Sequence, residues 1–111
     1  MNIEEYLSKN NFKSKYVLMN EMGLKDERTV RLKLSELKLK KPVIYNSQTT
    51  GYRLPKSIKD ISIQELEKEI DLVEHARNDI NSRNRVFEMQ KTVYDSWLDE
   101  AKQELLRKKY L

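Results

Sequence analysis

After Pro55 the chain contains neither glycine nor proline, and that absence governs what its second half can become. With nothing to turn or break it, so long a stretch is free to run as helix. Ser62 and Glu65 have the spacing of a capping box. A helix is therefore predicted from Ile63, and if it continues to Lys108 its length would be on the order of 70 Å. Leu66, Val73, Ile80, Phe87, Tyr94 and Ala101 recur every seven residues. A second series, Ile70, Arg77, Asn84, Lys91, Leu98 and Leu105, lies four positions further on and is apolar only at its ends. Seams of this kind pair helices, and polar seam positions fix register at some cost in stability.

Two arrangements follow. In the first, residues 56–111 are a C-terminal association segment whose long helix forms a coiled-coil homodimer through Leu66, Ile70, Val73, Ile80, Phe87, Tyr94, Trp97, Leu98, Ala101 and Leu105. In the second, the poor helix formers from Asn78 to Asn84 split it into a helical pair that folds on itself or onto the preceding domain. The unbroken heptad series favours the first, and Trp97 demands burial in both.

Composition agrees with a small domain joined to a solvated element: of 111 residues, 38% are hydrophobic and 36% charged, more charge than one globule of this length usually carries. The net charge of +4 is unevenly spread. Residues 1–55 hold 11 Lys/Arg against 6 Asp/Glu, an excess of five, whereas 56–111 hold 11 against 12. The basic surplus thus belongs to the first half, where it favours a polyanion partner. Cysteine is absent, which removes disulfides and thiolate metal sites. No apolar run of about 18 residues exists, and the first residues lack the layout of a signal peptide. The expected setting is cytoplasmic, with no membrane partner.

Within 1–55, Asn2 and Glu5 suggest a capped first helix reaching about Asn10, with Phe12 a core contact after it. Ser14 caps a second helix whose apolar residues are Tyr16, Val17, Leu18 and Met22, closed by Gly23. Asp26 caps a third, with Val30, Leu34 and Leu37 on its buried stripe. Pro42 ends that helix. Val43-Ile44-Tyr45 and Tyr52-Arg53-Leu54 then read as a two-stranded hairpin turning at Asn46–Gly51, with positive φ at Gly51, Leu54 packed and Arg53 outward. The fold class expected is mainly α with a small β-hairpin wing.

Ser14, Val17, Leu18, Met22-Gly23-Leu24, Glu27-Arg28-Thr29-Val30-Arg31, Leu34, Leu37, Pro42-Val43-Ile44 and Gly51-Tyr52-Arg53-Leu54 resemble the winged helix-turn-helix of biotin-ligase-repressor N-terminal domains. The likeness extends to small phage and prophage regulators of low-GC bacteria. It spans about two-fifths of the chain, and nothing beyond Pro55 resembles a ligase. The resemblance implies double-stranded DNA as partner, no enzymatic activity and no cofactor. Its third helix would enter the major groove with Arg28, Thr29, Arg31 and Leu32, an arginine there being able to bind guanine bidentately. Lys13, Ser14, Lys15 and Lys33 would meet phosphates, and Gln48, Thr49, Thr50 and Arg53 on the wing would reach backbone or minor groove. Asp26 and Glu27 depart from the usual cap by placing two negative charges where phosphate should approach.

The remaining chemistry-bearing residues read as structural. Tyr45 and Tyr52 are expected on the core, His75 on the surface, and Glu65, Glu67, Glu69, Asp71 and Glu74 on a solvated helix face. No nucleophile and base pair, glycine-rich phosphate loop or metal-ligand spacing occurs in the sequence. The function expected is a sequence-specific transcriptional or phage regulator acting as a dimer in a bacterial or phage-infected cell. The alternative is an interaction protein that binds and inhibits, or assembles, a protein partner, using the same domain and helix.

Overall fold

The computed structural model describes residues 2–80 and 84–110. Capping side chains set the boundaries in the first half. Ser14 Oγ accepts the Val17 N–H at 3.2 Å and opens helix α1 (Lys15–Met22); Asp26 Oδ1 accepts the Thr29 N–H at 2.8 Å and opens α2 (Glu27–Leu37). Gly23 closes α1 at φ 68°, a left-handed conformation that costs glycine little. The expected first helix is only a 3₁₀ turn, Ile3–Tyr6. Ser8 explains the shortfall. Its hydroxyl accepts the N–H groups of Asn10 and Asn11, and its carbonyl accepts the Leu54 N–H at 2.9 Å, so the backbone is drawn into other bonds.

Strands β1 (Lys13–Ser14), β2 (Ile44–Asn46) and β3 (Gly51–Arg53) form an antiparallel sheet in the order β1-β3-β2. The pairing of Lys13 with Tyr52 and Ser14 with Gly51 adds a strand that the sequence did not announce. The expected conformation of Gly51 is also wrong: the positive φ of 52° belongs to Thr50. Glycine is required at 51 for another reason. A Cβ there would stand 2.7 Å from Phe12 Cβ and 3.2 Å from the Lys13 backbone nitrogen, so close pairing of β1 with β3 depends on its absence.

Alternation along the strands divides two cores. Val43 and Leu54 point to one face, joining Ile3, Leu18, Val30, Leu34 and Leu37. Ile44, next to Val43, points to the other and joins Leu66, Ile70, Val73, Tyr94, Leu98 and Ala101. The second face is covered by the second half of the chain.

That cover corrects the long-helix reading. Helix α3 (Ile63–Asn78) ends within the polar run, Asn84 Oδ1 accepts the Phe87 N–H at 3.1 Å, and α4 (Arg85–Tyr110) returns; residues 81–83 of the anticipated break lie outside the described part. Folding back brings together the apolar ends of the two heptad series, whereas a straight seam would have left Arg77, Asn84 and Lys91 at its centre. Ion pairs Arg77–Asp95 at 2.8 Å and Glu74–Lys102 at 3.5 Å cross the pair, and Lys108 Nζ donates to the carbonyls of Lys59 and Ile61, which fixes an antiparallel arrangement. Of the residues assigned to a coiled-coil dimer, Leu66, Ile70, Val73, Tyr94, Leu98 and Ala101 are buried, and Ile80, Trp97 and Leu105 pack beside them, all within one chain. Phe87 is half-buried and lines a cleft with Tyr45 and Tyr94. The molecule measures 49 × 30 × 26 Å, too short for a helix of about 70 Å. No helix among the described residues is long and apolar enough to cross a membrane.

Candidate nucleic-acid interface

Helix α2 lays Val30, Leu34 and Leu37 into the first core, so the 3.6-residue period turns Arg28, Arg31 and Leu32 outward. Arg31 is 65% exposed at its side chain and Leu32 55% exposed. Neighbouring α1 adds Tyr16, 62% exposed, and Val17, also exposed, to the same open side. Both were expected to line the core. Only Leu18 and Met22 of α1 are buried, because an eight-residue helix against one neighbour covers a narrow stripe.

The charges on this face are largely paired. Glu27 is the hub: Lys15 Nζ lies 3.0 Å from its carboxylate and Arg31 3.8 Å. The Lys15 hydrogen bond, then one from the Tyr16 hydroxyl, holds the Glu27 pKa below its ordinary value, while the same Glu27 contact raises that of Lys15. Lys13 reaches Glu21 at 2.9 Å. Thr29 is turned inward on its cap, its N–H and hydroxyl both donating to Asp26, which lowers the Asp26 pKa. Ser14 is likewise engaged as the cap of α1. Arg28 forms no ion pair with any described residue and is exposed; Lys33 is half-buried. A polyanion approaching here would compete with Glu27 for Lys15 and Arg31.

The hairpin contributes Gln48, Thr49 and Thr50, all exposed at the turn. Asn46 Oδ1 organises them by accepting the N–H groups of Gln48 at 2.9 Å and Thr49 at 3.4 Å. Tyr45 and Tyr52 pair across the strands with centroids 4.9 Å apart and rings tilted by 47°; Tyr52 packs on the first core while Tyr45 stays exposed. Burial, then Tyr45, raises the Tyr52 pKa, while the charges of Lys15 and Arg31 pull it down. The open faces of α1, α2 and β3 therefore adjoin.

Arg53 does not belong to this surface. It is 5% exposed, and its guanidinium grips the Glu69 carboxylate with two bonds of 2.7 Å, reaching the Leu54 carbonyl as well. Strand alternation did place Arg53 opposite Leu54, but that opposite face meets α3 and not water. Glu69 for the same reason is no part of a solvated acidic face. Its burial opposes ionisation, yet Arg53 and the Lys56 N–H overcome that and leave its pKa below the ordinary value. Glutamate three residues after an apolar seam position gives no signal of such a partner. His75 is exposed, its Nδ1 2.8 Å from the Asp71 carbonyl; that hydrogen bond and then the Asp71 carboxylate, 3.7 Å away, raise its pKa.

No family model matches the chain, and no curated protein or solved structure is significantly similar to it.

Proposed function

We propose that the chain binds duplex DNA through α2 and the β2–β3 turn, as a transcriptional or phage regulator in a bacterial or phage-infected cell. The observation that carries this is the open face of α2, where Arg28 and Arg31 project away from the buried stripe, in a chain whose β2–β3 turn is exposed and polar. The order of elements, a short helical turn, β1, α1, α2, β2 and β3 with the sheet arranged β1-β3-β2, supports a winged helix-turn-helix reading. In that reading α2 enters the major groove, Arg28 and Arg31 meet guanine edges, and Gln48, Thr49 and Thr50 meet the backbone. Lys33 supplies a phosphate contact, as do Lys13 and Lys15 once Glu21 and Glu27 are displaced. Because the heptad residues are spent inside one chain, the proposal is for one module on one half-site.

The test is fluorescence anisotropy of the whole chain with a pool of random duplexes at two salt concentrations. Binding should fall steeply with salt. The double substitution Arg28→Glu with Arg31→Glu should weaken it by at least about tenfold and lower the salt slope by about two. Undetectable or salt-independent binding would overturn the proposal.

A second reading is favoured by one specific observation: Tyr16, Val17 and Leu32 are exposed large apolar side chains next in sequence to the paired Lys15 and Arg31. An apolar patch ringed by internally paired charge suits a protein partner better than a phosphate backbone. Leu32→Ser with Tyr16→Ser would then abolish function while Arg28→Glu left it intact.

A further inference from the structure

At the base of the hairpin, away from its turn, the last turn after α2, the segment following β3 and the middle of α4 enclose a cleft of about 620 Å³. Its apolar lining comes from Pro42, Leu54 and Pro55, all buried, with Ile58, Val93 and Trp97 half-buried beside them. Around it stand Lys9, Lys40, Lys41, Lys56 and Lys59, against the single carboxylate of Glu100. Lys41 is paired with Glu4 at 2.9 Å and Lys56 with Glu65 at 3.4 Å. Lys9, Lys40 and Lys59 have no carboxylate partner among the described residues.

We propose that this cleft is a docking site for an acidic peptide segment of a partner protein, one that inserts a bulky apolar side chain between Pro42, Pro55 and Trp97 and sets carboxylates against the lysines. Charge complementarity names the sign of the partner: Lys9, Lys40 and Lys59, unpaired among the described residues, with Lys41 and Lys56 shared with Glu4 and Glu65, outweigh Glu100 around one opening and attract anions. The lining names its chemistry. Prolines and aliphatic side chains offer dispersion and desolvation to an apolar anchor, the centre-and-rim arrangement of protein interfaces. A nucleic-acid strand is the poorer fit, because it needs open aromatic faces for its bases, whereas Trp97 is packed against the second core. The cleft's volume falls in the range of about 300–1,000 Å³ that suits compact ligand groups, not an extended strand. This site is separate from the open face of α2, and the two can be tested apart.

The probe is a fluorescein-labelled peptide of about ten residues, glutamate and aspartate flanking a central leucine-tryptophan pair, titrated against the whole chain by anisotropy. Saturable binding is expected. It should weaken at least about tenfold when the central pair is replaced by alanine, when the acidic residues are replaced by serine, and in the variant Lys40→Glu with Lys59→Glu. Both lysines lie on the surface, so the fold should hold, which circular dichroism checks; Ser96→Trp, from an exposed cleft position, should block binding by volume alone. The Arg28→Glu with Arg31→Glu variant should bind the peptide normally even if its duplex binding is lost. The proposal is overturned if the peptide does not bind, or binds equally to the lysine variant. It is also overturned if a single-stranded oligonucleotide of equal charge displaces the peptide at lower concentration, which would assign the cleft to nucleic acid. Self-association in sedimentation that Lys40→Glu with Lys59→Glu abolishes, and that the peptide fails to reverse, would assign it to a second copy of the chain and overturn the proposal likewise.

Discussion

The two ends of the β2–β3 hairpin are held by different physics. At the base, the attachments to the helical pair are distant in sequence: the Tyr94 hydroxyl both donates to and accepts from the Val43 backbone at 3.0 and 2.9 Å, and Glu69 binds Arg53 and the Lys56 N–H. At the turn, Asn46, Thr49 and Thr50 satisfy only their immediate neighbours. Strands of three residues do not hold together alone in water. The α3–α4 pair therefore supplies rigidity at the base, and that leaves the turn free to carry exposed polar residues.

Breaking the base should cost most. Glu69→Ala strands the Arg53 guanidinium in a buried site, and losing one member of such a pair costs about 3–5 kcal/mol. Urea unfolding should show that loss, with Glu69→Gln nearly as damaging. Proton linkage gives an independent sign. The Glu69 pKa is lowered in the folded chain, so its contribution is complete above the ordinary value of 4.5 and is lost as pH falls below it through the folded value. Stability of the Glu69→Gln variant should fall less steeply over that acid range than that of the parent chain. A parallel dependence would show that the pair contributes little.

Tyr94→Phe tests the other attachment. It removes a donor and an acceptor at once and leaves both Val43 backbone groups buried without their partner, for a cost of about 3 kcal/mol. Burial pushes the Tyr94 phenol up to about 12, so the bond persists through neutral pH and the loss should be the same at mildly acid and mildly alkaline pH. Slowed amide exchange at Val43 in the parent, lost in the variant, would locate the effect at the base.

Much of this contrast was legible in the sequence, and the illegible part has a common cause. The caps Ser14, Asp26 and Ser62, the stripe Val30, Leu34 and Leu37, and the left-handed Gly23 are local signals, and each stands where the sequence put it. The heptad residues were identified as buried, but periodicity does not say whether a seam's partner is another chain or the same one. Arg53 reads as exposed because it alternates with packed Leu54, and Glu69 because it lies in an acidic run; only the fold, which brings together residues 16 apart in sequence, makes them partners. For the open face of α2, the sequence named the exposed arginines and the two acidic residues at the helix start. It did not show that Glu27 would collect Lys15 and Arg31 together. The lysines of the cleft are scattered from Lys9 to Lys59, and no spacing rule connects them.

Gly51 sits where base and turn meet. Gly51→Ala would drive a Cβ against Phe12 Cβ, and because that atom is fixed to the backbone, β1 must move away from β3. The expected loss is about 2 kcal/mol, smaller than at Glu69 because a two-residue strand can shift. Phe12→Ala combined with Gly51→Ala should cost less than the sum of the two, since the first removes most of the ring that resists the shift. Strict additivity would mean that the Phe12 ring is not what resists the shift, because the Cβ contact itself survives in Phe12→Ala.

At the turn the expected change is small and opposite in sign. Thr50 holds φ at 52°, which disfavours a β-branched residue by about 1–2 kcal/mol. Glycine removes that strain but gains freedom in the unfolded chain, so Thr50→Gly should stabilise by about 0.5 kcal/mol. Thr50 and Glu69 share no bonding partner, and in a Glu69→Gln background the same gain should reappear within about 0.5 kcal/mol. A larger discrepancy would mean that base and turn are coupled. Function should move the other way: if Thr50 contacts the DNA backbone, Thr50→Gly loses a hydroxyl and weakens duplex binding while raising the melting temperature. A residue kept in a strained conformation for stability's sake makes no sense here, so a gain in stability with no loss of binding would remove Thr50 from the proposed interface and leave its strain unexplained by contact with DNA.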